Sequence, residues 1–274
     1  MQTTFMSPRP RLGPAAVLSA VVGLSAGCHI DLSAQAEARN QWTKTYTVER
    51  GATFELVNTN GRIEIAATDG DAIEVVAERI VKAATEERAR EVLGGIEIRE
   101  TASAGRVRLE SRAAGMNIGV NRVVNYTVKL PRWTNVRIDT TNGDVRVDDL
   151  AGELRIEATN GRVEGNGLEN GAVVDATNGA VSLSFAKLGA QGIECETTNG
   201  AITVALPADA NADVSARVTN GRISTDDLDL DFTEESRRRI DGRLGSGGTR
   251  VRLETLNGQI RVRAARPAVS RASS

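Results

Sequence analysis

The chain has 274 residues, a net charge of −2 at pH 7, one histidine, two cysteines and 3% aromatic residues. Its arginines are scattered among acids, so there is no basic stripe for nucleic acid, and aromatics are too few to build stacking platforms. The single histidine is His29, near the N-terminus, which excludes histidine bases, Ser-His-Asp triads and histidine metal sites from the body of the chain.

Arg9 and Arg11 precede a short apolar run from Pro14 to Ala26. That run is too short to span a bilayer comfortably, so residues 1–27 read as a signal peptide. It ends Leu24-Ser25-Ala26-Gly27-Cys28, which resembles the lipobox of bacterial lipoproteins. The resemblance implies cleavage before Cys28 and acylation of Cys28, where several acyl chains together anchor stably. An ordinary secretory signal with an incidental cysteine is the competing reading. His29, not aspartate, follows the cysteine, which implies outer-membrane sorting in a Gram-negative host. Residues 28–43, polar and alanine-rich, read as a tether; 44–264 read as one folded domain and 265–274 as a disordered tail.

The first excursion from regular strands is Thr85–Leu93, where a capping residue and first-turn acids predict a short helix stopped by Gly94-Gly95. Ala89, Val92 and Leu93 give it one apolar face. The less regular stretch 44–130 as a whole is expected to cap one end of the fold.

An Asn-Gly pair then sets a period. Asn142-Gly143, Asn160-Gly161, Asn178-Gly179, Asn199-Gly200 and Asn220-Gly221 are spaced 18, 18, 21 and 21 residues apart, with further members at Asn60-Gly61 and Asn257-Gly258. Aligned on the Asn, the flanks form columns. Ile63, Val145, Val163, Val181, Ile202, Ile223 and Ile260 stand three residues after it. Leu56, Ile138, Ile156, Val174, Cys195, Ala216 and Leu253 stand four before, and Phe54, Val136, Leu154, Ala172, Ile193, Val214 and Val251 six before. Apolar residues two apart mark a strand with one buried face. Equivalent strands recurring at a fixed offset mark a stack, so the fold class is an all-β solenoid of 18–21-residue rungs with Asn-Gly corners and one or two helical excursions. Both Asn and Gly tolerate left-handed backbone, as a sharp corner requires, and stacked Asn amides can hydrogen-bond along a ladder. A hairpin meander is the alternative, but it needs a second turn signal as regular as the first. The second corner instead carries Leu150, Leu168, Leu188 and Leu206.

Three residues before the Asn an outward column reads Asp139, Glu157, Asp175 and Glu196, followed by Arg217. Stacked like charges repel unless compensated. Compensation can come from Arg137 and Arg155 on the same strand face, from a bound cation such as calcium, or from a basic partner. A second acidic run, Asp226, Asp227, Asp229 and Asp231, lacks the glycine and terminal glutamate of an EF-hand and reads as a polar loop entry. Cys195 falls in the inward column and reads as a buried spacer. The second excursion, Phe232 to Leu244, holds three consecutive arginines, Arg237 to Arg239, and reads as a charged turn or helix. Arg261, Arg263 and Pro267 are expected to blunt the far end of the stack.

The run Thr-Thr-Asn-Gly-Asp-Val-Arg-Val at 140–147, its variants at 158, 176, 197 and 218, and the glycine-rich unit from Gly245 resemble the bacterial DUF4097 family over residues 44–263. That resemblance implies an adhesin-like β-solenoid in a cell-envelope setting, with no catalytic motif to carry over and no cofactor. The reading is therefore a non-enzymatic, lipid-anchored scaffold presenting a rigid face to an envelope glycan, a protein or another copy of itself. Two alternatives stay open: a carbohydrate-active β-helix enzyme using outward carboxylates such as Asp139 and Asp175, and an envelope-stress regulatory component.

Overall fold

The computed structural model describes residues 36–113 and 119–265. Cys28, the signal segment, most of the expected tether and the tail from 266 lie outside the described residues. Period-2 alternation builds nineteen strands among those described, and one helix accompanies them. The N-terminal part comprises β1 (Ala36–Thr47), β2 (Thr53–Asn60), β3 (Ile63–Thr68), β4 (Ala72–Ala83), α1 (Glu86–Gly94), β5 (Ile96–Ser103), β6 (Arg106–Ala113) and β7 (Asn121–Pro131). The repeating rungs are β8 (Asn135–Asn142) with β9 (Val145–Asp148), β10 (Leu154–Asn160) with β11 (Val163–Leu168), β12 (Ala172–Asn178) with β13 (Val181–Phe185), and β14 (Ile193–Asn199) with β15 (Ile202–Leu206). The long β16 (Ala212–Asp226), the pair β17 (Leu230–Glu235) and β18 (Arg239–Leu244), and the long β19 (Thr249–Ala264) complete the chain. Residues 36–43, expected as tether, are thus part of β1.

Each rung contributes one strand before its corner and one after, and the strands stack in parallel register into two faces, as a β-solenoid requires. The first face runs β5-β6-β2-β8-β10-β12-β14-β19-β16-β18-β17. The second runs β1-β4-β7-β3-β9-β11-β13-β15, followed by the distal halves of β19 and β16. The register superposes the sequence columns: Ile156 pairs with Ile138 and Val174, and Val174 with Cys195. All members of the columns four and six residues before the Asn are buried, as are those three after it except Ile223. Each buried Val, Leu or Ile contributes about 1.5–3 kcal/mol, and no single rung could bury its apolar edge without its neighbours.

The last unit does not extend the stack in chain order. β19 inserts between β14 and β16, so Cys195 lies against Leu253 and not against Ala216. The reason is what each strand has to bury. β19 brings Val251, Leu253, Ile260 and Val262, all at most 1% exposed, whereas the second arm of β16 offers a half-buried Ile223 and places Thr225 beside Val262. The more apolar strand gains more from having two neighbours, and the more polar second arm of β16 takes the end of the second face.

At the corners, every Asn side chain except that of Asn60, which only accepts, donates from Nδ2 to Oδ1 of the Asn on an adjacent rung. The ladder runs Asn142 to Asn60, Asn160 to Asn142, Asn178 to Asn160, Asn199 to Asn178, Asn257 to Asn199 and Asn220 to Asn257, at 2.7–3.0 Å. None of these Asn residues has a positive φ, so their role is the ladder and not left-handed backbone. The glycines are required by proximity. A Cβ at Gly161 would lie 2.2 Å from the Gly143 carbonyl oxygen, and one at Gly179 1.8 Å from that of Gly161. Gly161 also has φ +131°, a conformation that side chains avoid.

The ends are closed differently. At the N-terminal end antiparallel β5 covers β6, and β4 and β1 cover β7. Helix α1 starts at Thr85, whose side chain accepts from Arg88 N at 3.2 Å, and buries Ala89, Val92 and Leu93 over β1 and β4. Glu55, buried on β2, holds β6 in place: both its oxygens accept from Arg106 at 2.7 Å and one from Arg108 at 2.9 Å. Burial raises the Glu55 pKa, but these bonds outweigh it and leave the carboxyl below its usual range. At the other end the expected charged turn or helix of 232–244 is instead the β17–β18 hairpin. Ser236 Oγ accepts from Arg239 N at 3.0 Å in the turn, and pairing of the two strands lets Leu230, Ile240 and Leu244 be buried. Arg261 and Arg263 do not blunt the end, because β19 is internal; Arg261 pairs with Asp226 at 3.3 Å.

Gly161→Ala is expected to cost at least about 2 kcal/mol, since a backbone carbonyl must move. Gly105→Ala, where a Cβ meets nothing within 4 Å, is expected to stay within about 0.5 kcal/mol. Urea denaturation of the two variants measures both.

Candidate functional site

Outward positions of the first face repeat as regularly as the core. The residue just before each corner Asn is Thr59, Thr141, Thr159, Thr177, Thr198 or Thr219, and all of them are exposed. In the seventh unit that position is Leu256, also exposed. One pleat further along is the acidic column, where register places Asp139 beside Glu157, Glu157 beside Asp175, and Asp175 beside Glu196.

The structure thus brings the four expected acids together, and it lengthens the column. Because β19 intervenes, the neighbour of Glu196 is Glu254, and Arg217 follows only after it. Glu254 stands at the right offset in its own unit; only the chain-order reading of the stack concealed its place. A shallow cleft of about 470 Å³ runs along the acids, with Arg155, Thr159 and Thr198 on its walls.

Compensation along the column is uneven. Glu157 pairs with Arg137 and Arg155, each at 3.3 Å, and Glu254 with Arg252 at 3.1 Å and Arg217 at 3.7 Å. Asp139, Asp175 and Glu196 make no ion pair with a described residue. Burial raises the Asp175 pKa above the ordinary aspartate value; Arg155 opposes the rise, and Glu157 and Glu194 add to it. Among the described residues no group of three or more His, Cys, Asp or Glu side chains is arranged to hold a metal ion.

The remaining sequence candidates fall elsewhere. Asp226 pairs with Arg261, and Asp227 takes a left-handed φ of 57° in the bend before β17. Cys195 is 1% exposed, and burial pushes its thiol well above the ordinary value, which leaves no thiolate for chemistry. Sequence reasoning missed the cleft around Leu256, whose walls come from β14, β16, β18 and β19. The signal for it was present in the departure of Leu256 from the threonine column.

The solenoid thus presents hydroxyl, carboxylate and amide side chains in parallel outward rows. The Toastrack DUF4097 family model matches residues 94–263, and the chain belongs to that family. No curated protein matches it. Among solved structures it is similar to a "putative cell adhesion protein" from Clostridium sporogenes ATCC 15579, with 14% identity, 83% of this chain and 100% of that chain covered, and TM-score 0.47. It is also similar to a "putative adhesin" from Bacteroides fragilis NCTC 9343, with 12% identity, 81% and 97% covered, and TM-score 0.38.

Because the Asp175 pKa is raised, its ionisation disfavours the folded state. That penalty is absent below the ordinary aspartate pKa and is complete above the raised folded value. Asp175→Asn is therefore expected to raise Tm at pH 7, with the gain vanishing as pH falls below the ordinary aspartate pKa. Paired thermal melts across pH check the sign.

Proposed function

We propose that this protein is a non-enzymatic, adhesin-like interaction scaffold of the bacterial cell envelope, tethered to a membrane by an acylated Cys28. The observation that carries this reading is the outward column Asp139, Glu157, Asp175, Glu196 and Glu254 beside the exposed threonines. Its spacing is fixed by the stack, at roughly 4.8 Å per rung. Such a surface is pre-ordered, so a partner that engages several rungs pays little conformational entropy on the scaffold's side. Membership of an adhesin-like family supports the role, and the lipobox-like Leu24–Cys28 supports the setting. The partner is an envelope glycan, an envelope protein or a second copy of the chain.

Crosslinking and affinity capture from intact envelopes tests the reading. The wild-type protein is expected to capture a partner that is lost or strongly reduced with Asp139→Asn combined with Asp175→Asn. If the wild type instead degrades a uronic polymer and the double variant does not, the protein is a carbohydrate-active enzyme and the scaffold reading fails. Cys28→Ser is expected to abolish lipid labelling and release the protein from the membrane; continued membrane attachment contradicts the anchor.

A further inference from the structure

Leu256 is the one exposed large hydrophobic residue among those described, at 46% of its full exposure. It occupies a position where the other Asn-Gly units carry threonine, so a hydroxyl would satisfy the fold there. Its neighbours along the column are Thr198 on β14 and Thr219 on β16. It stands in a cleft of about 820 Å³ between the first face and the β17–β18 hairpin, which supplies Arg238 and Arg239 to the wall.

Two charged groups of the cleft lack an ion pair among the described residues and lie on opposite sides of it: Glu196 on β14, and Arg238 next to β16, with β19 between those strands. Glu254 is taken by Arg252 and Arg217, and Arg239 is held by Asp241 at 2.8 Å and Glu234 at 3.0 Å. Arg238 is different. Its backbone is fixed, its N–H donating to Ser236 Oγ at 3.4 Å and its carbonyl accepting from Val218 N at 3.0 Å, while its guanidinium has no partner among the described residues. An exposed guanidinium with open donors on the same cleft wall as an exposed leucine suits a ligand that carries both a carboxylate and an apolar side chain.

We infer that this cleft binds an extended acidic peptide segment of a partner protein, seating an apolar side chain on Leu256 and a carboxylate on Arg238. The inference rests on the interaction-scaffold reading and names a partner class for one part of that face. A uronate polymer would supply carboxylates but no side chain to cover the leucine, and the cleft has no aromatic ring on which a sugar could stack.

Titration of the whole chain with an alternating (Asp-Leu)5 peptide, followed by methyl and guanidinium NMR, tests it. The expected result is saturable shifts at Leu256 and Arg238, with affinity lowered about tenfold by Leu256→Thr, the residue the other units already tolerate. Arg238→Gln is expected to weaken binding and to flatten its salt dependence. An (Asp-Ser)5 peptide that binds as tightly, a Leu256→Thr variant that binds unchanged, or polygalacturonate that occupies the cleft more tightly than the peptide would each overturn the assignment. Capture from envelopes separates this from the broader reading: if Leu256→Thr still captures its partner through the acidic column, the scaffold stands and the cleft assignment fails.

Discussion

Everything in this fold depends on how closely successive corners approach one another. With glycine at each corner the carbonyl of one rung lies where the next would carry a Cβ, 2.2 Å away at Gly161 and 1.8 Å at Gly179. That contact sets the rungs in register, and the Asn ladder holds it there. Because a one-residue slip would turn every inward Ile and Val to solvent, locking the register at one corner also fixes the buried columns. The outward columns follow from the same constraint, since strand alternation leaves no freedom in which side chains face out.

Much of this was legible in the sequence because a repeat exposes its own registration. The columns ending in Leu253 and Ile260 could be written down before any coordinates, and so could the burial of Cys195, since all depend on period 2 and a fixed offset. The helix at Glu86–Gly94 was legible too, from its cap, its acids and its apolar face. The corner backbone was only half legible: the glycines are needed for close approach and, at Gly61, Gly143, Gly161 and Gly221, for a positive φ, whereas the asparagines need none.

What the sequence concealed were choices between equivalent local patterns. Nothing local to Asn220 or Asn257 says which rung is terminal; the global comparison of apolar content decides it, and Thr225 against Val262 is where it shows. The hairpin of β17 and β18 was hidden because dense charge looks alike on a strand, a turn or a helix until Ile240 and Leu244 find a core. The functional surface inherited both blind spots. The acids were visible by offset, but the place of Glu254 depended on the insertion of β19, and Arg238 reaches the cleft only because the hairpin folds back over the stack.

A face built this way divides its labour. The repeated residues supply rigidity, and the departures from the repeat supply chemical difference: Leu256 among threonines, Arg217 at the end of the acids. The central claim is that the corner ladder couples each rung to both neighbours. Denaturant unfolding of Asn178→Ala and Asn220→Ala tests it most directly, because Asn178 bonds to two ladder neighbours and Asn220 to one. At roughly 1 kcal/mol per hydrogen bond, the interior variant should lose about twice the stability of the terminal one. Equal losses, or no loss at Asn178, would contradict the account.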